Sequence, residues 1–125
     1  MTKILLVGMG GFAGSICRYL AGELFQKILA APFLLHTTLI INVTGCLLIG
    51  FLSGLSETRQ MFTPEIRVLV VVGFLGGFTT FSTFGYEFFV LAKGGQTLPA
   101  MANLFLHITL GIGAVWLGFT ISKMI

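Results

Sequence analysis

Apolar residues run along this chain in long continuous stretches. Between successive charged side chains lie three uncharged stretches of 29, 19 and 29 residues. Because about 20 apolar residues in a helix cross the hydrocarbon core of a bilayer, each stretch is compatible with one membrane span. The stretches lie between Lys27 and Glu57, between Arg67 and Glu87, and between Lys93 and Lys123.

A fourth apolar segment opens the chain, with 14 uncharged residues before Arg18 and further apolar residues after it. Strands of a membrane β-barrel would alternate apolar and polar residues over roughly 10 positions, and these stretches do not. The sequence therefore predicts an all-α membrane protein with four transmembrane helices in one domain, residues 1–125. The helices are predicted at about residues 3–28, 35–56, 64–93 and 98–124.

Composition agrees with a membrane location. Of 125 residues, 56% are hydrophobic and 9% are charged, whereas soluble proteins carry about 25% charged residues. We therefore expect the lipid bilayer to surround the chain. The first segment alone also fits a cleaved signal peptide, since Lys3 and an apolar stretch precede Ala13-Gly14-Ser15.

Residue types that carry catalytic chemistry are scattered. Cys17 and Cys46 lie inside predicted helices without a CxxC or Cys/His spacing, and His36 and His107 are 71 positions apart. We predict neither an enzyme nor a nucleic-acid-binding protein.

A glycine motif near the N-terminus has two interpretations. Residues 8–13 match G-x-G-x-x-A, the start of a dinucleotide-binding turn, but that turn requires a soluble parallel sheet. We instead interpret Gly10, Gly11 and Gly14 as a small-residue face that lets another helix approach closely.

Lysine and arginine are distributed almost evenly over the two sides of the membrane. Four lie on the side that holds both termini, and two or three on the other side, depending on the depth of Arg18. So weak a bias allows insertion in both orientations. The sequence therefore predicts an antiparallel dual-topology homodimer, with a single fixed orientation as the alternative.

Polar groups within the predicted helices mark a candidate ion pathway, because they are costly in lipid. The amide of Asn42 could offer two N–H donors to an anion or hydrogen-bond to a neighbouring helix. Phe81 and Phe84 share a helical face, and their positive ring edges could receive an anion. Plain packing or lipid contact is the alternative for the two rings.

The third helix is predicted to break near Gly76–Thr80, where paired glycines precede several hydroxyl-bearing residues. Glycine weakens a helix by about 1 kcal/mol relative to alanine. Carbonyl groups freed at a break can coordinate a small cation. A kink stabilised by Thr and Ser hydroxyls, without an ion, is the alternative.

Three motifs resemble the signatures of the CrcB/Fluc fluoride channel family, in the family's order and over essentially the whole chain. They are GFAGSICRY at residues 11–19, NVTG at 42–45 and GFLGGFTTFSTF at 73–84. The resemblance implies a passive fluoride-selective channel in the cell inner membrane. It also implies a dual-topology homodimer with two parallel fluoride pathways.

The same resemblance implies roles for single residues. A structural sodium ion at the dimer centre would be held by backbone carbonyls of Gly76 and Thr79 from both subunits, and no organic cofactor is expected. Arg18 would lie in an aqueous vestibule, and Glu87 matches the family's acidic residue after the Phe motif. The residues matched to the ion pathway or its surroundings are Thr38, Asn42, Thr80, Phe81, Ser82, Thr83 and Phe84.

The last helix departs from the family pattern, because Asn103 and His107 stand where a tyrosine and a serine are common. We expect His107 or Thr109 to supply the polar contact there. Two other functions stay open: a small multidrug-type proton-coupled transporter, which would need Glu23 as its membrane-embedded acid, and a non-transporting structural membrane subunit.

Overall fold

Four helices of the protein are long and apolar enough to cross a membrane, within the residues that the computed structural model describes, 1–29, 34–59 and 62–125. The side chain of His36 lies outside that described part. The predicted all-α architecture with four membrane-length helices is confirmed. The protein is therefore a multi-pass membrane protein.

The third of these helices is divided in two. Residues 64–78 form its first half, α3, and Phe81–Lys93 form its second half, α4. Most of α3 is a π-helix, Val68–Leu75, a form that is rare and often found near functional sites. The remaining helices are α1 (Thr2–Leu29), α2 (Leu34–Arg59) and α5 (Thr97–Met124).

Two extended residues separate α3 from α4. Thr79 has φ −88° and ψ 158°, and Thr80 has φ −150° and ψ 113°. The backbone N–H and the hydroxyl of Thr79 both donate to the carbonyl of Leu75, at 3.0 and 2.9 Å, which ends α3. The Thr80 hydroxyl accepts from the N–H of Thr83 at 3.4 Å and so caps α4. The predicted break near Gly76–Thr80 is confirmed, and it falls on the last two residues of that range.

The outer ends of the divided helix have their own local signals. Thr63 caps α3, since its hydroxyl accepts from the N–H of Ile66 at 3.3 Å, and Pro64 follows at the first helical position. After α4, Gly95 adopts φ +74°, a left-handed conformation that glycine tolerates and that ends helices. The chain can therefore turn directly into α5.

The helices pack mainly in two pairs, α1 with α3 and α2 with α5. A Cβ atom added to Gly10 would lie 2.8 Å from the backbone nitrogen of Phe74 and 2.9 Å from the Cα of Gly73. A Cβ added to Gly118 would lie 2.8 Å from the backbone nitrogen of Phe51. Small residues thus allow backbone-to-backbone contact, which drives helix association in lipid. The predicted role of the N-terminal glycines is confirmed.

Large apolar side chains cover the outside of the subunit. Phe12, Phe105 and Trp116 are 72%, 67% and 76% exposed. A water-soluble monomer rarely leaves so much contiguous apolar surface uncovered. Lipid or a second protein chain must therefore cover these side chains.

Candidate ion pathway

An open groove of about 400 Å³ runs along the subunit beside the break between α3 and α4. It is bordered by α2, α3, α4 and α5. Most of its wall is apolar, and the half-buried Cys46 is part of it. The lining residues are Asn42, Gly45, Cys46, Ile49, Val71, Leu75, Gly76, Thr79, Thr80, Phe81, Phe84, His107 and Ile108.

Asn42 lies in the first half of α2 and makes two hydrogen bonds to the break. Its Oδ1 accepts from the backbone N–H of Thr80 at 2.9 Å, and its Nδ2 donates to the carbonyl of Thr80 at 3.1 Å. The hydrogen bond between helices that we considered as an alternative is therefore present. One N–H of the amide has no partner among the described residues, and Asn42 is one of the residues that line the groove.

These bonds change the environment of Gly76. In a continuous helix the N–H of Thr80 would bond to the carbonyl of Gly76, four residues earlier. Because that N–H donates to Asn42 instead, the Gly76 carbonyl is left without it. A Cβ added to Gly76 would meet nothing within 4 Å, so this backbone is also open to approach from outside the subunit.

Three hydroxyl groups gather at the start of α4. The Thr80 hydroxyl lies 3.2 Å from that of Ser82 and 3.1 Å from that of Thr83. Ser82 is exposed, whereas Thr80 and Thr83 are half-buried. Hydroxyl hydrogens can rotate to suit an acceptor. Of these three residues Thr80 lines the groove, so its hydroxyl can offer a donor to an anion there.

Phe81 and Phe84 lie side by side at the groove, as their three-residue spacing predicts. Their ring centroids are 5.5 Å apart and the ring planes are inclined by 60°. Phe84 is only 8% exposed, and its ring centroid lies 4.3 Å from that of His107. Phe81 is 82% exposed on the single subunit. One ring is therefore held within the subunit, and the other projects from it.

A buried polar cluster lies one turn further along α4. The hydroxyl of Thr38 donates to Oε1 of Glu87, and both residues are buried. Asn103 on α5 is 3% exposed and lies near the same carboxyl group. The backbone carbonyl of Asn103 accepts from Nδ1 of His107 at 3.0 Å. Side chains from α2, α4 and α5 thus meet in one place.

Several polar atoms of this cluster have no hydrogen-bond partner among the described residues. They are Oε2 of Glu87, both amide atoms of Asn103 and Nε2 of His107. Buried polar groups normally have a partner in protein or ordered water. The cluster therefore has unused hydrogen-bonding capacity next to the groove.

Five residues that we associated with the pathway do not line the groove: Thr38, Ser82 and Thr83, which belong to the polar clusters beside it, and Arg18 and Thr109. The Thr109 hydroxyl donates to the carbonyl of Phe105 on its own helix at 2.7 Å, and the side chain is exposed. Arg18 is half-buried on α1.

We did not predict from the sequence that Glu87 lies beside Thr38 and Asn103, although the spacing of residues along the chain gives an indication of it. Glu87 follows Phe84 by three residues, and His107 follows Asn103 by four, so each pair occupies one helical face. Which faces turn toward each other depends on the packing of α4 and α5, and the spacing alone does not give that.

Comparison with known proteins extends over nearly the whole chain. The family model described as CrcB-like protein, Camphor Resistance (CrcB), matches residues 5–119. The chain is 39% identical over 125 residues to a protein of Nitratidesulfovibrio vulgaris named fluoride-specific ion channel FluC, covering 100% of both chains. Proteins with the same name from Methylobacillus flagellatus and Nitrobacter winogradskyi are 41% and 43% identical, with 99% of this chain and 97% and 98% of theirs covered. The chain belongs to the CrcB-like family.

Proposed function

We propose that the protein is a passive fluoride-selective ion channel. The observation that carries this proposal is the full-length similarity to relatives named fluoride-specific ion channel FluC. The groove supports it, because one wall combines an uncommitted amide N–H, a hydroxyl and two aromatic rings. These groups belong to Asn42, Thr80, Phe81 and Phe84.

The chemistry of the groove suits a small, strongly hydrated anion. Such an ion has to exchange water for N–H, O–H and ring-edge contacts, yet remain weakly enough held to leave. Side chains that are formally charged are absent from the residues that line the groove. An anion that enters is therefore not trapped by a fixed positive charge.

An antiparallel homodimer is the assembly that we propose. Phe81 and Gly76 are both exposed on the single subunit and both belong to the open groove. A second copy seated on this face would cover them and convert an open groove into an enclosed pathway. The weak Lys/Arg bias allows the second copy to be inverted, and an axis in the membrane plane then relates two identical pathways.

We further propose a structural sodium ion between the two copies, held by the carbonyls of Gly76 and Thr79. The fit rests on the break: the Gly76 carbonyl has lost its helical donor, and the ψ of 158° at Thr79 turns its carbonyl out of line with α3. Unwound backbone carbonyls are the Na⁺ ligands of discontinuous membrane helices. Because these are two groups from one subunit, a second copy would supply the same two carbonyls again and so surround the ion.

Liposomes that contain the purified protein test the proposed activity. A fluoride electrode and a chloride electrode record efflux from identically prepared vesicles, with protein-free vesicles as the control. We expect rapid fluoride efflux down its own gradient and chloride efflux no faster than in the control. Equal efflux of both anions would contradict fluoride selectivity, and fluoride movement that requires a proton gradient would contradict a passive channel.

A further inference from the structure

In the pairing of Asn42 with Thr80, a side-chain acceptor takes the place of the backbone carbonyl that the Thr80 N–H would bond in a continuous helix. Thr80 is the extended N-cap residue of α4, so its N–H has no partner within the divided helix, whereas its carbonyl stands where an N-cap accepts the first helical bond. Both groups bond to the amide of Asn42, at 2.9 and 3.1 Å. The amide of Asn42 on α2 thus supplies the Thr80 N–H with the acceptor that the divided helix does not provide.

We propose that Asn42 is a positioning residue that holds the divided helix open and thereby couples the anion pathway to the cation site. The coupling runs through one N–H: as long as Thr80 donates to Asn42, the carbonyl of Gly76 is free for a cation. This role differs from contact with the permeating ion. It rests on the proposed cation site, but not on which anion passes.

Removing the amide would favour a continuous helix. The N–H of Thr80 would lose its partner, and an N–H without a partner away from water costs about 1–3 kcal/mol. The nearest remedy for the N–H is the Gly76 carbonyl, four residues earlier. Closing that bond removes the free carbonyl that the cation needs.

Gly45 shows that α2 shapes the break at a second point. Gly45 lies three residues after Asn42 and so shares its helical face. A Cβ added to Gly45 would overlap the methyl group of Thr79 and lie 3.7 Å from Cδ1 of Phe78. The same face of α2 therefore gives Thr79 space and gives Thr80 its hydrogen-bond partners.

Two measurements on Asn42→Ala test the proposal. A crystal structure of the variant dimer shows whether Thr80 has become helical, and thermal unfolding in sodium chloride and in N-methyl-D-glucamine chloride shows whether sodium stabilises it. We expect a closed helix, with Thr80 N–H on the Gly76 carbonyl, and loss of the sodium-dependent rise in Tm. Thr44→Ala is the control, since Thr44 is exposed on the same helix, and should keep the rise in Tm of the unaltered protein.

Asn42→Asp separates the hydrogen bonds that Asn42 makes to Thr80 from the second N–H that its amide offers to the groove. At acidic pH its protonated carboxyl keeps one acceptor and one donor for Thr80, and loses only the second N–H. We expect this variant to keep the open break and the sodium-dependent rise in Tm. If the smaller alanine prevents folding, Asn42→Leu removes the same hydrogen bonds while keeping more of the volume, and the same results are expected.

An extended Thr80 in Asn42→Ala, or an undiminished sodium effect in that variant, would overturn the proposal. If sodium does not stabilise the unaltered protein, the cation site itself fails, and the structure of the break then decides: a closed helix supports the positioning role of Asn42, and an open one overturns it. Fluoride flux is not a readout, so failure of the channel proposal would leave the result unaffected.

Discussion

Phe81 and Phe84 are neighbours on one helical face, yet their surroundings differ. Phe84 packs on His107 inside the subunit, whereas Phe81 is 82% exposed. Helical spacing predicted that the two rings are neighbours, because three residues nearly complete a turn. It did not predict that one ring is buried and the other exposed, because exposure depends on how α4 is turned relative to α5.

Phe81→Ile should slow fluoride flux by at least about tenfold, because isoleucine has no positive ring edge to offer an anion. The subunit should stay folded, since the ring packs little within it. Efflux from liposomes and gel filtration in detergent provide the two measurements. Phe89→Ile is the matched control, because Phe89 is also exposed on α4 but lies outside the groove, and it should conduct normally. Normal flux in Phe81→Ile would remove Phe81 from the pathway.

His107 has a hydrogen-bond pattern that bears on pH. Its Nδ1 lies 3.0 Å from the carbonyl of Asn103, and a carbonyl only accepts, so Nδ1 carries a hydrogen. In a neutral ring Nε2 is then an acceptor, and it becomes a donor only when the ring is protonated. The uncharged ring can therefore not donate to an anion from Nε2, whereas the charged ring can.

Fluoride flux through the unaltered protein should accordingly rise as the pH falls from about 8 to about 5.5, and His107→Ser should remove this dependence. Protein-free vesicles at each pH correct for neutral hydrogen fluoride that crosses lipid unaided. Thr109→Ser is the control, because Thr109 is on the same helix outside the groove. Identical pH profiles for the unaltered protein and His107→Ser would exclude His107 from conduction.

Among the elements, α1 and α3 owe their close approach to glycine. Gly10 contacts the backbone of α3, whereas a Cβ added to Gly8 would meet nothing within 4 Å. The motif suggested which glycines would form the contact face, because helix packing in lipid uses small residues at regular spacing. It did not indicate that the partner is partly π-helical, since the apolar run of residues 68–75 is compatible with either helix type.

Gly10→Ala and Gly8→Ala should have opposite effects on stability. The first introduces overpacking that typically costs about 1–3 kcal/mol, and the second raises helix propensity by up to about 1 kcal/mol. Thermal unfolding of the two variants in one detergent gives the comparison. Equal Tm values would contradict the close backbone contact between α1 and α3.

The break between α3 and α4 shows how much a local sequence pattern can predict. Paired glycines followed by hydroxyl residues predicted a break, and the two extended residues are Thr79 and Thr80 rather than the glycines. The reason is non-local: the partner of Thr80 is Asn42, 38 positions earlier. A propensity argument within one helix cannot include that contact.

At the scale of the whole molecule, the spacing of charges predicted four membrane helices, because charged side chains are costly in lipid and therefore rare within a span. The candidate pathway was harder to predict from the sequence. Motif similarity identified its residues individually, while the groove that joins Asn42, Thr80 and the two rings exists only through packing of α2, α4 and α5. The second copy is inferred from the surface that one copy leaves open.

Dual topology can be measured with one cysteine. In a chain with Cys17→Ala and Cys46→Ala, Gln96→Cys places a thiol in the exposed turn between α4 and α5, at a residue with an ordinary negative φ. A membrane-impermeant maleimide added to intact cells should label about half of the molecules. Labelling of all molecules or of none would show a single orientation. A cysteine at exposed Met124, on the opposite side of the subunit, should give the same fraction.

The extended pair Thr79–Thr80 has a consequence for protein engineering. Substitutions that raise helix propensity are a standard way to make proteins more robust, and Thr80→Leu would qualify by that criterion. At this position the gain in stability would come from joining α3 and α4 into one continuous helix. A thermostability screen without an activity assay would therefore favour variants that survive heating but no longer transport.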